Sequence, residues 1–298
     1  MRRILLAVII CFITTGLYAG GVGTTGGQFL KIGVGAKPLA TGGALGVTSM
    51  DTNALYFNPA GIMGVNGLEI LSAYGLWLQG TYYGYVGAVK TIPALSSCIG
   101  VSAMYLGVDD MPGYDSTGVE TASYNASDMG VGVTYAMNLG NLSFGVTGKW
   151  IDETLETYKE SVLDMDLGVM YRMNMGIAVG LSVQNLLQSN MQFISESYPL
   201  SRSLRAGIAY RVNMGSIGID YCTTTDGGSS IKFGGEYIYN SIVFIRAGYN
   251  MLSGSDMNIM SGICGGAGLS FNRLLIDYAL VPYEDLGLTH RISLTVKL

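Results

Sequence analysis

Over most of the chain, large apolar residues occupy every second position. The stretch 142–150 (LSFGVTGKW) alternates apolar residues with small or polar ones, and 129–137 (MGVGVTYAM) and 177–184 (IAVGLSVQ) do the same. A period of two sustained over about 8–10 residues is typical of a β-strand with two unlike faces. We therefore expect strands with one greasy face and one face of small or polar residues.

Runs of this kind predict about fourteen strands. Their expected first residues are Leu68, Thr81, Ser97, Ser127, Asn141, Val162, Gly176, Arg202, Ser216, Ile231, Ile242, Asn258, Arg273 and Leu288. An even number of strands is what a single-chain bacterial barrel requires.

The connections between the predicted strands alternate between two classes. Short connections rich in Asn and Gly lie at 138–141, 174–176, 213–215, 239–241 and 271–273. Long, acidic connections lie at 107–126, 151–161, 186–201, 223–230, 252–256 and 281–287. Asn and Gly tolerate the left-handed backbone of tight hairpins. Short turns on the periplasmic side and long loops outside are typical of an outer-membrane barrel.

Composition supports a membrane location without helical spans. Only 12% of the 298 residues are charged, against about 25% in an average soluble domain. After residue 30 there is no uncharged apolar run of about 18 residues, which a membrane-spanning helix needs. We predict an all-β fold, in which residues 68–298 form a transmembrane antiparallel barrel of about fourteen strands.

The first nineteen residues have the order of a secretory signal peptide. Two arginines precede an apolar core and the small-residue ending Leu17-Tyr18-Ala19. We predict Sec export, cleavage after residue 19 and location in the outer membrane of a diderm bacterium. The remaining Cys98, Cys222 and Cys264 are odd in number and widely spaced, which argues against a disulfide framework.

Residues 20–67 show neither the alternation of a strand nor the period of a helix, and they are rich in glycine. Glycine lets a backbone pass close to other backbones, which suits a segment threaded into a confined space. In Asn58-Pro59-Ala60-Gly61, Asn is placed to cap a helical turn, Pro to begin it and Gly to end it. We predict a luminal hatch, or plug, over 20–67. Its expected gating residues are Gly33, Gly35, Lys37, Gly42, Gly43, Asn58, Pro59, Ala60 and Gly61.

Charged residues also fall on the inward parity of the predicted strands. They are Lys149, Asp164, Asp166, Arg172, Arg205, Arg211, Asp220, Lys232, Glu236, Arg246, Asp277 and Arg291. An unpaired buried charge is costly, so we expect these residues to pair with one another or with the plug, where Lys31 and Lys37 are candidate partners.

No pattern of catalytic or cofactor chemistry is visible. His290 is the one histidine, and a polar loop-edge role suits it better than a Ser-His-Asp site. There is no Cys/His metal spacing and no nucleotide-binding glycine motif. The acidic balance argues against nucleic acid as a partner. We expect no enzyme activity, no cofactor and no metal.

Both ends of the mature chain resemble the PorV/PorQ family of outer-membrane proteins. The resemblance lies in residues 28–36 (QFLKIGVGA), 40–44 (ATGGA), 53–61 (NALYFNPAG), 277–282 (DYALVP), 285–287 (DLG) and 289–294 (THRISL). The Asn-Pro-Ala-Gly motif is shared with FadL-like transporters, where it belongs to the luminal hatch.

The resemblance implies a fourteen-stranded FadL-like barrel that handles secreted cargo in a type IX-like system. Its partners would be secreted proteins or secretion components, besides outer-membrane lipid around a monomeric barrel. Two alternatives stay open: a FadL-like transporter of hydrophobic small molecules such as long-chain fatty acids, and a structural barrel without a transport role.

Overall fold

The computed structural model describes residues 21, 23–76, 80–121, 123–193, 195–252, 262–283 and 287–298. The predicted signal peptide, residues 1–19, lies outside them. No helix in these ranges is long and apolar enough to cross a membrane.

Fourteen antiparallel strands of the described chain form a closed barrel, which confirms the predicted fold. The barrel strands are β1 (Leu68–Leu76), β2 (Thr81–Ile92), β3 (Ser97–Met111), β4 (Tyr124–Leu139), β5 (Leu142–Leu155), β6 (Tyr158–Arg172), β7 (Ile177–Gln184), β10 (Ser203–Val212), β11 (Gly215–Thr224), β12 (Ser229–Tyr239), β13 (Val243–Leu252), β14 (Ile263–Phe271), β15 (Leu274–Pro282) and β16 (Leu288–Lys297). Between β7 and β10 the chain forms β8 (Asn190–Phe193) and β9 (Glu196–Pro199), which lie outside the barrel. Each barrel strand pairs with the next barrel strand in sequence, so that β7 pairs with β10, and β1 closes the ring by pairing with β16.

The strand faces follow the alternation in the sequence. Val133 is 64% exposed on the outside of β4, whereas the next residue, Thr134, is 1% exposed on the inside. Most other large outward side chains are likewise exposed and apolar, and the inward ones are mostly small or polar. A greasy exterior and a polar interior are the arrangement of a barrel surrounded by lipid.

Two predicted long connections are shorter than expected. β5 continues to Leu155 and β6 begins at Tyr158. The predicted loop 151–161 is therefore a tight turn, in which Glu156 has a positive φ of 56°. The connection 107–126 is likewise shortened by β3 and β4. Backbone pairing continues here beyond the apolar zone, where polar residues occupy both faces and the alternation no longer reveals a strand.

The predicted loop 186–201 contains a small hairpin. Its strands, β8 (Asn190–Phe193) and β9 (Glu196–Pro199), pair with each other outside the barrel ladder. Four-residue strands are too short to be recognised by period, so the sequence analysis missed them. Met191 of β8 is fully buried in a cluster with Phe29 and Leu30. The hairpin therefore packs on the beginning of the chain.

Residues 23–67, the N-terminal segment, contain only short helices. These are the α-helices α1 (Ala36–Ala40) and α2 (Ala54–Phe57) and the 3-10 helices Gln28–Lys31 and Pro59–Gly64. A further 3-10 turn, Pro93–Leu95, joins β2 to β3. Most side chains of the N-terminal segment are buried, and its contacts are with inward residues of the barrel. The barrel begins directly after it at Leu68.

Candidate functional site

Inward-facing glycines of the barrel wall are in close contact with the N-terminal segment. A Cβ added at Gly145 would lie 2.3 Å from the carbonyl carbon of Pro59, and one at Gly248 would lie 2.0 Å from that of Thr41. Eight strands contribute to this glycine belt: Gly145, Gly168, Gly180, Gly207, Gly218, Gly234, Gly248 and Gly266. The N-terminal segment therefore occupies space that side chains would otherwise fill.

The alternation in the sequence indicates small residues on one face of the strands but does not reveal this belt. Several belt glycines face each other directly on neighbouring strands, for example Gly145 and Gly168, Gly180 and Gly207, and Gly234 and Gly248. These pairs become visible only once the strand register is known.

Asn58 connects the N-terminal segment to itself and to the wall. Its Oδ1 accepts a hydrogen bond from the amide of Ala60 (3.2 Å), as expected for a helix cap. Its Nδ2 donates to the carbonyl oxygens of Val47 (2.9 Å) and Val169 (3.2 Å). Pro59 begins the helical turn as predicted, but the turn runs on to Gly64 and does not end at Gly61. A Cβ at Gly61 would meet the carbonyl oxygen of Ser49 at 2.2 Å, so a close contact explains this glycine.

The other predicted hatch glycines lie at tight points of the N-terminal segment. Gly35 has a φ of 72°, and a Cβ there would overlap the side-chain amide of Asn53. Gly42 and Gly43 also have positive φ; the first approaches the backbone of Tyr249 and the second the side chain of Lys232. Gly33 packs against Leu39 within the same segment.

Lys37 pairs within the N-terminal segment and not with an acid of the barrel wall. Its Nζ lies 2.7 Å from Oδ2 of Asp51. Burial by itself raises the pKa of Asp51, but the charge and hydrogen bond of Lys37, with hydrogen bonds from Asn53 and Ser49, hold it below its ordinary value. The two residues link α1 to the turn that precedes α2.

Five of the predicted luminal charges pair with one another. Lys149 Nζ lies 2.7 Å from Asp166 Oδ1. Arg246, with a side chain that has no exposed surface, lies 2.6 Å from both Glu236 and Asp277. Mutual pairing lowers the cost of placing these charges inside the barrel.

Three further luminal charges bind the N-terminal segment. Asp220 accepts a hydrogen bond from the amide of Val47 at 2.9 Å. Arg205 donates to Tyr56 Oη at 3.2 Å and lies 5.0 Å above the centre of the same ring. Arg211 donates to the carbonyl oxygen of Thr48. Barrel and segment are therefore held together by charge-assisted hydrogen bonds.

The remaining luminal charges have other surroundings. Asp164 accepts hydrogen bonds from the amides of Leu187 (3.1 Å) and Ser189 (3.0 Å) in the loop after β7. The other three are placed as follows: Arg172 donates to Asn138, Arg291 lies over the ring of Tyr83, and Lys232 lies beside Gly43.

At the end of the barrel that carries the long loops, the N-terminal segment is held by Asp226. This carboxylate pairs with Lys31 and accepts hydrogen bonds from Thr25 (3.0 Å) and Ser201 (3.1 Å). The amide of Gly26 donates to the carbonyl oxygen of Pro199, the last residue of β9, at 3.1 Å. The sequence suggests luminal acids of the strands as partners for Lys31, whereas its partner is Asp226 of a loop.

A small cavity lies between the N-terminal segment and strands β2–β7. Its volume is about 40 Å³. One water needs about 10–15 Å³ by this measure, so the space holds about three waters. Its lining combines apolar and polar side chains. The apolar ones are Leu30, Leu55, Tyr56, Tyr85 and Met104, and the polar ones include Ser102, Thr147, Lys149, Asp166, Gln184 and Asn185.

The cavity exists because β4 has glycines where side chains would project. Gly130 and Gly132 face inward here, opposite Met104 and Ser102 of β3. A Cβ at Gly132 would already lie 3.0 Å from Ser102 Oγ. Among the described residues, no group of three or more His, Cys, Asp and Glu side chains is placed to hold a metal ion.

No protein-family model matches the chain, and no curated protein matches it. Solved structures of similar shape include the toluene transporter TodX of Pseudomonas putida (TM-score 0.63, 12% identity, 89% of this chain and 99% of that one). The toluene transporter TbuX of Ralstonia pickettii is also similar (TM-score 0.62, 14% identity, coverage 89% and 98%). A FadL homologue of Pseudomonas aeruginosa has a TM-score of 0.57 at 10% identity, with coverage of 89% and 98%. This chain therefore has the fold of the FadL-like outer-membrane channels.

Proposed function

We propose that this protein is an outer-membrane channel for small hydrophobic compounds, and that residues 20–67 are its hatch. The observation that carries the proposal is the cavity between the N-terminal segment and strands β2–β7, inside a barrel with an apolar exterior. A ligand site between a wall and a separately folded segment becomes accessible when that segment moves. The lining combines apolar side chains with polar groups, and small-molecule sites are built from both kinds.

The similar structures support this class of ligand. Two of them are named as toluene transporters, and a third, CymD, is named a monoaromatic hydrocarbon channel. The similarity extends over 89% of this chain.

The described conformation is closed. Space for about three waters does not admit an aromatic ring, so transport requires movement of the N-terminal segment. Leu30, Leu55 and Tyr56 of that segment form much of the apolar lining of the cavity. Displacing them enlarges the cavity and uncovers Tyr85 and Met104 on the wall.

A PorV/PorQ-type role in protein secretion is the alternative, and the comparisons give it no support. Cargo binding would favour an apolar patch on the long loops. In the loop 186–201, however, Met191 and Phe193 pack against the cluster that contains Phe29 and Leu30. These side chains hold the N-terminal segment in place.

Uptake by cells tests the transport proposal. Two cell lines that lack other channels of this fold would be compared, one expressing the protein and one carrying an empty vector. The initial rate of radiolabelled toluene uptake would be measured in each. We expect faster initial uptake with the protein. Uptake equal to that of the vector, with a folded barrel verified by its heat-dependent gel mobility, would contradict the proposal.

A reversible disulfide tests the hatch. A Cβ at Gly26 would lie 3.6 Å from Cβ of Met191, within the 3.5–4.5 Å range of disulfides. The double variant Gly26→Cys/Met191→Cys, with Cys98, Cys222 and Cys264 replaced by Ala, would tie the N-terminal segment to the β8–β9 hairpin. Oxidation should reduce toluene uptake to the vector level, and a reductant should restore it.

The two single-cysteine variants in the same background are the controls, and oxidant should not change their uptake. Mass spectrometry would verify the cross-link. Full uptake by fully cross-linked protein would show that the segment does not leave the hairpin during transport, and the hatch would have to be sought elsewhere in residues 20–67.

A further inference from the structure

A buried ion pair lines the luminal cavity, and a pure hydrocarbon ligand could form no hydrogen bond with it. The side chains of Lys149 and Asp166 are only 14% and 4% exposed, and both line the cavity. Tyr85 and Met104 line the same cavity. The site therefore combines apolar surface with strongly hydrogen-bonding groups.

Within the part of the chain that the structure describes, Lys149 and Asp166 do not use all of their hydrogen-bonding groups. Lys149 Nζ has three donors, and it contacts Asn185 Oδ1 and Asp166 Oδ1. Asp166 Oδ1 also accepts the amide of Asn185 at 2.9 Å, so Oδ1 receives both contacts of this carboxylate. One N–H of Lys149 and the Oδ2 of Asp166 are left to serve a ligand, a donor and an acceptor next to each other.

From this arrangement we infer that the preferred ligand is a small aromatic compound with one hydroxyl group, such as a phenol. The hydroxyl donates to Asp166 Oδ2 and accepts from Lys149 Nζ, and the ring lies against Tyr85, Met104 and the side chains uncovered by the hatch. This inference rests on the proposed transport function and refines its substrate class.

The physical basis is the cost of leaving buried charged groups unpaired. A hydrocarbon that fills the cavity removes these groups from water and returns no hydrogen bond. Sites built to hydrogen-bond a ligand hydroxyl reject the analogue that lacks it. A carboxylate ligand is disfavoured as well, because Asp166 already supplies a negative charge.

Paired ligands give a direct test. Toluene and p-cresol differ by one hydroxyl, and their binding to the full protein in nanodiscs can be measured by equilibrium dialysis in sealed cells. We expect the wild-type protein to bind p-cresol at least about tenfold more tightly than toluene, as one hydrogen bond to a charged group allows. Equal binding, or tighter binding of toluene, would overturn the inference.

A double substitution removes the polar pair without leaving a lone buried charge. In Lys149→Met/Asp166→Asn, the new amide oxygen still accepts the amide of Asn185. We expect the preference for p-cresol to fall below about threefold, mainly through weaker p-cresol binding. An unchanged preference would show that other groups select the ligand.

The matched control is another Lys–Asp pair of β5 and β6. Lys159 lies 3.3 Å from Asp152, its side chain is 60% exposed, and neither residue lines the cavity. The variant Lys159→Met/Asp152→Asn should keep the wild-type preference. If the protein bound neither toluene nor p-cresol, the transport proposal would be overturned as well. If it bound both equally, only the hydroxyl preference would be overturned.

Discussion

Gly145 offers a sensitive test of how closely the N-terminal segment packs on the barrel. A Cβ there would lie 2.3 Å from the carbonyl carbon of Pro59 and 2.4 Å from the amide nitrogen of Ala60, whereas ordinary contacts begin at 3.4 Å. In Gly145→Ala, either the wall or the segment must therefore move by about 1 Å. Both contact atoms belong to backbone, so no side-chain rotation relieves the overlap.

The expected cost is about 1–3 kcal/mol, typical of overpacking a tight interior. The nearby hydrogen bonds that hold the segment, from Asn58 to Val169 and from Ser182 to Phe57, each contribute about 0.5–1.5 kcal/mol. Because the two magnitudes are similar, partial displacement of the segment is the expected response. We predict a lower free energy of unfolding in urea and a higher ion conductance in planar bilayers.

Gly148 on the same strand is the matched control. It faces outward, and a Cβ there would have nothing within 4 Å. Gly148→Ala should leave conductance unchanged, and the loss of unfolded-state entropy should make it neutral or more stable by about 0.4–1 kcal/mol. If Gly145→Ala and Gly148→Ala behave alike in both assays, the N-terminal segment does not press on the wall and the hatch geometry described above is wrong.

Two further predictions concern charge. Burial alone raises the pKa of Asp226, but the hydrogen bond from Lys31, together with hydrogen bonds from Thr224 and Thr25, holds this pKa below the ordinary 3.8. The stabilisation by this carboxylate is therefore complete above about pH 5 and declines as the pH falls through the depressed pKa. Asp226→Asn should make the beginning of the chain more sensitive to added protease at pH 7. The protease sensitivity of the wild-type protein should be constant from pH 8 to 5. Equal sensitivity of the variant and the wild-type protein at pH 7 would contradict the anchoring role of Asp226. Arg246→Met leaves two buried carboxylates without their partner and should lower the free energy of unfolding in urea by about 3–5 kcal/mol. Lys159→Met, which breaks a pair with an exposed lysine, should change it by less than about 0.5 kcal/mol, and a similar loss in both variants would refute the argument.

The sequence predicted the barrel well because the alternation of residues is a local property. Each strand shows its two faces in its own residues, and each tight turn shows its Asn and Gly. The starts of β1, β2, β3 and β16 were predicted at the residues where they occur. At the end of β5 and the beginning of β6, polar residues cover both faces and the alternation disappears. The predicted boundaries were wrong there.

The sequence also placed charges and small residues on the inward faces, but it did not identify which of them contact which residue of the N-terminal segment. Asp220 meets Val47, and Gly248 meets Thr41, across separations of more than 170 residues. Such pairs depend on the register of the strands and on the path of the N-terminal segment through the barrel. Neither is encoded in any local period.

By itself, therefore, the sequence determined the fold class, the approximate strands and the two unlike faces of the wall. Only the tertiary structure decided that Asp220 binds the amide of Val47, that Lys31 pairs with Asp226 and that a cavity lies beside Gly132. The physical reason is that closing the barrel brings distant strands and the N-terminal segment together. Hydrogen bonds and voids then form between residues that the chain order keeps far apart.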